Sequence, residues 1–142
     1  MSSDTSKDPV IQVNQAKRHY TTRAGTVKAL DGVDLQVLPG EFLAIAGPSG
    51  SGKSTLLNLI GALDTPTDGE VIVDGQNLSG MKEGDLAKLR RDRIGFVFQA
   101  YNLIPVLSAL ENVEYVMLLQ GVAGRERRER SMTIISEVGL DG

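Results

Sequence analysis

The chain has 142 residues, of which 41% are hydrophobic and 23% charged, a balance typical of one ordinary globular domain that can bury a core. Its formal net charge of −3 leaves no basic surplus to attract nucleic acid, and the absence of cysteine excludes disulfides and thiolate chemistry. No run approaches the roughly 20 apolar residues that cross a bilayer, so we expect a cytoplasmic protein that reaches a membrane only through a partner subunit.

The first predicted elements are a tail and strands. Residues 1–9 are rich in Ser and Asp and predict a solvated tail. Residues 10–13 are a short apolar run with strand character, and residues 21–26 contain a glycine and favour a turn. Apolar and polar residues alternate over residues 33–37, the period of a half-buried strand. This part of the chain therefore predicts an antiparallel β portion.

A buried strand, a glycine-rich loop and a helix are predicted next. Residues 42–46 (FLAIA) are apolar without alternation, which suits a strand buried on both faces of a parallel sheet. The glycine-rich loop follows at once. After it, apolar residues recur every three or four positions, which predicts a helix over residues 53–63: Leu56, Leu57, Ile60 and Leu63.

The next stretch predicts a hairpin, a helix and a second buried strand. Turn signals at residues 68–69 and 74–75 flank a strand over residues 71–73. Residues 83–93 carry charges around Leu86 and Leu89 and predict an exposed helix. Residues 94–98 (IGFVF) are the second buried-strand candidate.

Two further helices are predicted over residues 109–120 and 125–138. Ser108 and Glu111 fit a capping box, in which each side chain bonds the other's backbone N–H group. Glu126 and Arg130 are spaced to pair on the surface of the last helix.

Residues 47–54 (GPSGSGKS) match the Walker A phosphate-loop pattern G-x-x-x-x-G-K-[ST]. Glycines permit close approaches that a side chain would block, so successive N–H groups can form a nest for phosphate oxygens. The following helix adds its N-terminal N–H groups and the positive end of its dipole. Lys53 supplies a full charge to the β- and γ-phosphates, and Ser54 offers its hydroxyl to Mg²⁺. The candidate binding residues are Gly47, Pro48, Ser49, Gly50, Ser51, Gly52, Lys53, Ser54 and Thr55.

A chance match to this pattern is expected in on the order of one chain in a hundred of this length. The position of the match argues further against chance, because the loop lies between a predicted buried strand and an apolar-faced helix, the setting that the motif requires. The sequence therefore predicts a nucleoside triphosphate site that takes ATP with Mg²⁺.

Two stretches resemble the ATP-binding subunit of ABC transporters. Residues 40–75 (GEFLAIAGPSGSGKSTLLNLIGALDTPTDGEVIVDG) resemble its phosphate-loop part, and residues 94–113 (IGFVFQAYNLIPVLSALENV) resemble the segment around its Q-loop glutamine. The closest similarity is to the subfamily that exports or releases lipoproteins, peptides or macrolides with cell-envelope permeases. The resemblance covers residues 10–142 and implies an ATPase that couples ATP binding and hydrolysis to transport.

The resemblance also implies roles outside the loop. Tyr20 matches the aromatic residue that stacks on adenine, the alternative being a core or edge tyrosine. Gln99 matches the glutamine that contacts Mg²⁺ and the attacking water, which makes Lys53 and Gln99 the candidate catalytic residues; the alternative is a lone surface glutamine. The region between Tyr101 and Leu119 matches the surface that binds the permease, the alternative being core packing. Its apolar contacts would come from Tyr101, Leu103, Ile104 and Leu107.

The family's later motifs are not found after Gln99: the LSGGQ-type signature, the Walker B aspartate, the catalytic glutamate and the switch histidine. Phosphoryl transfer depends on positioned water and on charge neutralisation around Mg²⁺, so we expect this chain alone to be inactive. The simplest interpretation is an N-terminal fragment of an ATPase that forms a homodimer on the inner face of the cell membrane. Two alternatives stay open: a chain that binds nucleotide without turnover, and a soluble ABC-type ATPase that acts on DNA or ribosomes.

The expected fold is α/β. A P-loop NTPase core with a parallel sheet and the antiparallel β portion would occupy residues 10–99, and an incomplete helical subdomain residues 100–142. A sheet that ends after two parallel strands leaves an open edge and unburied apolar surface. We therefore predict marginal stability or aggregation for the chain alone.

Overall fold

A computed structural model describes residues 8–140, so most of the predicted tail, residues 1–7, lies outside the described range together with residues 141–142. The chain divides into two units, Met1–Arg90 and Arg91–Gly142. Its elements in chain order are β1 (Ile11–Thr22), β2 (Gly25–Val37), α1 (Lys53–Ile60), β3 (Asp68–Val73), β4 (Gln76–Asn77), α2 (Glu83–Arg93), α3 (Ala109–Leu119) and α4 (Gly124–Glu137).

One antiparallel sheet of strand order β2-β1-β3-β4 organises the first unit. Strands β1 and β2 form a long hairpin in which Thr22 lies opposite Gly25 and Ile11 opposite Val37. Strand β3 pairs with the other edge of β1, and Ile11 also lies opposite Val73. The predicted antiparallel portion and its turn are confirmed. Both strands are longer than the apolar runs suggested, because backbone pairing continues through polar residues.

A bulge at Gln15 interrupts the pairing of β1 with β3. Gln15 has a positive φ of 47°, and the register shifts between Asn14 and Lys17. Gly69 of β3 lies directly against this bulge, with φ +77°, and a Cβ there would collide with the carbonyl groups of Asn14 and Gln15. The turn predicted at residues 68–69 is therefore wrong, since Gly69 provides room for a neighbouring strand inside the sheet.

Helix α1 packs against β1, β2 and β3 and closes the core of the first unit. It begins at Lys53 as predicted but ends at Ile60 instead of residue 63, and Ala62 just beyond it has φ +54°. The buried apolar residues come from the sheet, from α1 and from the segment around α2: Val13, Ala16, Leu30, Val37, Leu56, Leu59, Val71, Val73, Leu78, Leu86 and Leu89.

The two apolar runs predicted as buried parallel strands form no strand. Residues 41–48 and residues 94–98 lack any ladder hydrogen bonds in the described range, and every sheet pairing there is antiparallel. Phe42 is 96% exposed, and Phe98 is exposed as well. An apolar run becomes a buried strand only where neighbouring strands supply both edges, and no strand of residues 8–140 pairs with either run.

The helices confirm their local sequence signals. Helix α2 occupies the predicted residues, and α3 and α4 differ from prediction by one residue at their ends. Ser108 Oγ accepts from the Glu111 N–H group at 3.3 Å, and Glu111 Oε2 accepts from the Ser108 N–H group at 2.8 Å, which is the predicted capping box. Hydrogen bonds to the Glu111 carboxylate from the Ser108 backbone N–H group and, second, from the Ser108 hydroxyl at 2.7 Å hold the pKa of Glu111 below its ordinary value. Glu126 and Arg130 form the predicted pair on α4 at 2.5 Å.

Candidate functional site

The phosphate loop runs closely past strand β2. Gly52 is the residue that caps the N-terminus of α1, and its backbone is left-handed, with φ +90°. A Cβ at this position would lie 2.6 Å from the Ala29 carbonyl oxygen and 2.9 Å from Leu30 Cδ2. Both the backbone angle and the approach of β2 therefore require glycine at this position.

The N-terminus of helix α1 is left open to an anion. Gly52 provides no side-chain cap, and the first turn contains no acidic residue. The first hydrogen bond of the helix runs from the Leu56 N–H group to the Gly52 carbonyl at 2.9 Å. The N–H groups of the preceding turn have no partner inside the helix, so they and the positive end of the dipole favour an anion at this end.

The Lys53 side chain folds back across the loop. Its Nζ atom donates to the carbonyl oxygens of Gly47 and Pro48, both at 2.7 Å, and lies 3.4 Å from Ser51 Oγ. All three acceptors are neutral atoms of the loop. The ammonium charge is thus held at the loop by groups that do not neutralise it, so it stays electrostatically available to a phosphate.

A cavity of about 370 Å³ lies beside the loop. One wall is strand β2, and the other is the loop with the start of α1. Its lining residues are Val27, Lys28, Ala29, Ser49, Gly50, Gly52, Lys53, Ser54 and Thr55. Six of these are among the predicted binding residues, five of them within the Walker A pattern, whereas the β2 wall was not predicted. No local signal could have revealed that wall, because its contact with the loop is tertiary.

Tyr20 lies on β1 directly opposite Val27, a residue of the cavity wall. The Tyr20 side chain is not itself part of the lining, and the residue is 37% exposed. Its hydroxyl donates to Asp64 Oδ2 at 3.0 Å, and the Arg18 guanidinium lies 4.7 Å from the ring centroid. Burial opposes the Arg18 charge, but interactions with Tyr20 and with the Asp64 carboxylate outweigh it and raise the pKa of Arg18 above its usual value.

Gln99 and the predicted permease-binding region belong to the second unit. Gln99 lies at an exposed bend that follows residues 94–98. Tyr101 and Leu103 are exposed, whereas Ile104 and Leu107 are half-buried. The Asn112 side chain holds this loop, because its Oδ1 atom accepts from the Ile104 N–H group at 2.8 Å. The loop therefore presents two free apolar side chains from a fixed backbone.

The same region of α3 carries a partly buried ion pair. Arg127 Nε of α4 lies 3.5 Å from Glu114 Oε2 of α3. The two side chains line a second cavity of about 270 Å³ with Leu107, Glu111, Tyr115 and Leu118. This cavity belongs wholly to the second unit.

The family model for "ABC transporter" matches residues 30–142. The chain belongs to the ABC transporter family. The predicted family is thereby confirmed, and the likeness extends to proteins whose names describe ATP-binding subunits and macrolide exporters.

Among its relatives, the chain is 48% identical over 132 residues to the macrolide export ATP-binding/permease protein MacB of Hyphomonas neptunium. The match covers 93% of this chain and 20% of that protein. It is 44% identical over 135 residues to the ABC transporter ATP-binding protein MJ0796 of Methanocaldococcus jannaschii, covering 93% of this chain and 57% of that one. The chain therefore spans about a fifth of the first relative and somewhat over half of the second.

The fold class is confirmed by a solved structure. The dimeric ATP-binding cassette MJ0796, in a post-hydrolysis state bound to ADP and Pi, superposes with a TM-score of 0.82 at 44% identity. The superposition covers 89% of this chain and 56% of the cassette. The α/β fold class is therefore shown even though the two apolar runs form no strands here.

The donor set at the loop fits a magnesium–nucleotide complex. Residues 8–140 contain no group of three or more His, Cys, Asp or Glu side chains arranged to hold a metal ion. Mg²⁺ bound with a nucleotide usually keeps several waters and takes substrate phosphate oxygens with only one or two protein ligands. Ser54, a residue of the cavity lining, carries a hydroxyl oxygen, and oxygen is the ligand atom that Mg²⁺ prefers. Within the same described residues, no helix is long and apolar enough to span a bilayer.

Proposed function

We propose that this chain binds ATP with Mg²⁺ as the nucleotide-binding part of an ABC transporter ATPase. We further propose that this ATPase couples ATP binding and hydrolysis to the export or release of a lipoprotein, peptide or macrolide by a membrane permease. The observation that carries the proposal is the uncapped N-terminus of α1, which lines the cavity, together with the Lys53 ammonium, which the loop carbonyls of Gly47 and Pro48 hold. Backbone N–H groups, a helix dipole and one unneutralised cation together favour a polyphosphate.

The proposed roles follow the chemistry of each group. Lys53 exchanges its two carbonyl acceptors for the β- and γ-phosphate oxygens, which are stronger acceptors because they are charged. Ser54 would hold Mg²⁺ through its hydroxyl, and the bound metal would supply positive charge opposite the phosphates. Tyr20 offers a ring face to adenine. Gln99 orients the attacking water.

The proposed partners are a second ATPase copy and a permease. The relative named MacB combines ATP-binding and permease functions in one protein, and the solved cassette is dimeric. The exposed Tyr101 and Leu103 and the fixed loop that carries them supply apolar contacts for the permease. We place the assembly on the inner face of the cell membrane, with no nucleic-acid partner.

Nucleotide binding without turnover is a second candidate function for the chain by itself. None of the nine residues that line the cavity is acidic, so the cavity contains no carboxylate to hold Mg²⁺ or to activate water. A soluble ABC-type ATPase that acts on DNA or ribosomes is a further alternative. Such a soluble ATPase would not co-purify with a multi-span membrane protein, whereas a transporter subunit would.

The test is calorimetric titration with Mg²⁺·ATP. Lys53→Ala should abolish binding, with a loss of at least about 100-fold, because the loop loses charge-assisted hydrogen bonds. Lys88→Ala is the matched control, since Lys88 forms only a surface pair with Asp85 at 3.1 Å, and it should bind like the wild type. ATP affinity that is equal in the two variants would overturn the proposal. An ATPase assay on the same protein separates turnover from binding.

A further inference from the structure

Asp64 joins the end of helix α1 to strand β1. It follows α1 in the chain, and its Oδ2 atom accepts from Arg18 Nε at 2.8 Å and from the Tyr20 hydroxyl at 3.0 Å. Its other oxygen accepts from the Thr65 N–H group at 2.8 Å. The Asp64 carboxylate is 22% exposed and the Arg18 side chain 25%. A shielded charge pair of this kind holds its geometry more firmly than a surface pair does.

Arg18 also covers one face of the Tyr20 ring. Its guanidinium carbon lies 4.7 Å from the ring centroid, within the range of a cation–π contact. Thr67 supports this arrangement, because its Oγ1 atom accepts from Arg18 Nη1 at 3.4 Å and from the His19 N–H group at 3.1 Å. Because Arg18 covers one face of the Tyr20 ring and Asp64 fixes its hydroxyl, a flat base can stack only on the remaining exposed surface of the ring.

We propose that Asp64 is a positioning residue for the base of the nucleotide. It fixes the Tyr20 ring, through the hydroxyl and through Arg18, in the one orientation in which adenine can stack. This inference rests on the proposed adenine role of Tyr20 and adds to it the residue that sets the ring. Because Asp64 lies just beyond the end of α1, it connects the helix that begins at Lys53 with the tyrosine proposed to contact the base.

The test separates base recognition from phosphate recognition. Calorimetric titrations of the full chain use two probes, Mg²⁺·ATP and inorganic tripolyphosphate with Mg²⁺. Tripolyphosphate has the phosphates but no base. Asp64→Ala should weaken ATP about tenfold, the size of one lost oriented contact, and change tripolyphosphate affinity by less than about twofold. In a Tyr20→Ala background, Asp64→Ala should have no further effect on ATP.

Asp68→Ala is the matched control. Asp68 also bridges to β1, through Lys17 Nζ at 2.8 Å, but it makes no described contact with Tyr20. This variant should bind both probes like the wild type. Unchanged tripolyphosphate affinity in Asp64→Ala also shows that the variant folds, so a loss of ATP affinity alone cannot come from unfolding.

Three results would overturn the proposal. Equal losses of ATP and tripolyphosphate affinity in Asp64→Ala would make Asp64 a general structural residue. Full ATP affinity in Asp64→Ala, with a loss in Tyr20→Ala, would refute the positioning role while leaving the adenine role of Tyr20 intact. Full ATP affinity in Tyr20→Ala would refute both the adenine role and the positioning role.

Discussion

Helix α1 buries apolar residues just after the phosphate loop, whereas the apolar run just before the loop is largely exposed. After the loop, α1 buries Leu56 and Leu59 against an antiparallel sheet. Before the loop, residues 42–46 are also apolar but form no strand, and Phe42 is almost fully exposed. A hairpin brings β2 beside β1 through a turn of two residues, whereas parallel strands need partners from distant parts of the chain. Burial therefore follows the availability of a partner, not hydrophobicity alone.

Paired truncations on the two sides of the loop give the largest expected effect. Leu59→Ala should lower the free energy of unfolding by about 2–5 kcal/mol, because Leu59 is 0% exposed and its loss leaves a cavity. Phe42→Ala should change it by less than about 0.5 kcal/mol, as for an exposed side chain. Urea denaturation measures both. A large loss in Phe42→Ala would break the comparison and show that residues 42–46 are buried in solution.

Two glycines of the loop sharpen the comparison at the backbone. Gly52→Ala should destabilise the fold by about 2–4 kcal/mol, the sum of left-handed strain and a collision with strand β2. Gly50 also has a positive φ, of 79°, but nothing lies within 4 Å of its Cβ position. Gly50→Ala should therefore cost only about 1–2 kcal/mol of strain. If thermal denaturation gave equal losses for the two variants, the approach of β2 to the loop would be refuted.

The smallest expected effect concerns the ion pair that ties β1 to β3. A hydrogen bond from Lys17 lowers the pKa of Asp68 below its ordinary value of 3.8. A carboxylate with a lowered pKa in the folded state contributes stability above its unfolded pKa and loses it as the pH falls through the folded value. Lys17→Met should therefore show a shallower loss of denaturation midpoint than the wild type between about pH 5 and pH 2. If the denaturation midpoints of Lys17→Met and the wild type fell equally with pH, the Lys17–Asp68 pair would not form in solution.

Most of the correct predictions came from patterns among residues that are close together in the sequence. The capping box at Ser108 and the charged pattern of α2 fixed their helices, and the GKS motif placed the start of α1 at Lys53. These features depend on residues within one or two turns of each other. The same locality explains why the phosphate loop itself could be recognised without a structure.

Long-range features were missed for the converse reason. The β2 wall of the cavity, the bulge that needs Gly69 and the Asp64 contacts of Tyr20 all join residues far apart in the chain. Residues 42–46 and 94–98 were wrongly predicted as strands because an apolar run does not say whether a partner strand is present. The roles of Gln99 and of the region between Tyr101 and Leu119 stay predictions from family resemblance.

Amide hydrogen exchange with and without Mg²⁺·ATP tests the central claim most directly. If the loop amides and the Lys53 ammonium hold the triphosphate, exchange at residues 49–55 should slow on ATP addition, while the amides of α4 stay unchanged as an internal reference. Lys53→Ala should remove the protection. Unaltered exchange at residues 49–55 under saturating ATP, or protection confined to another part of the chain, would contradict the account.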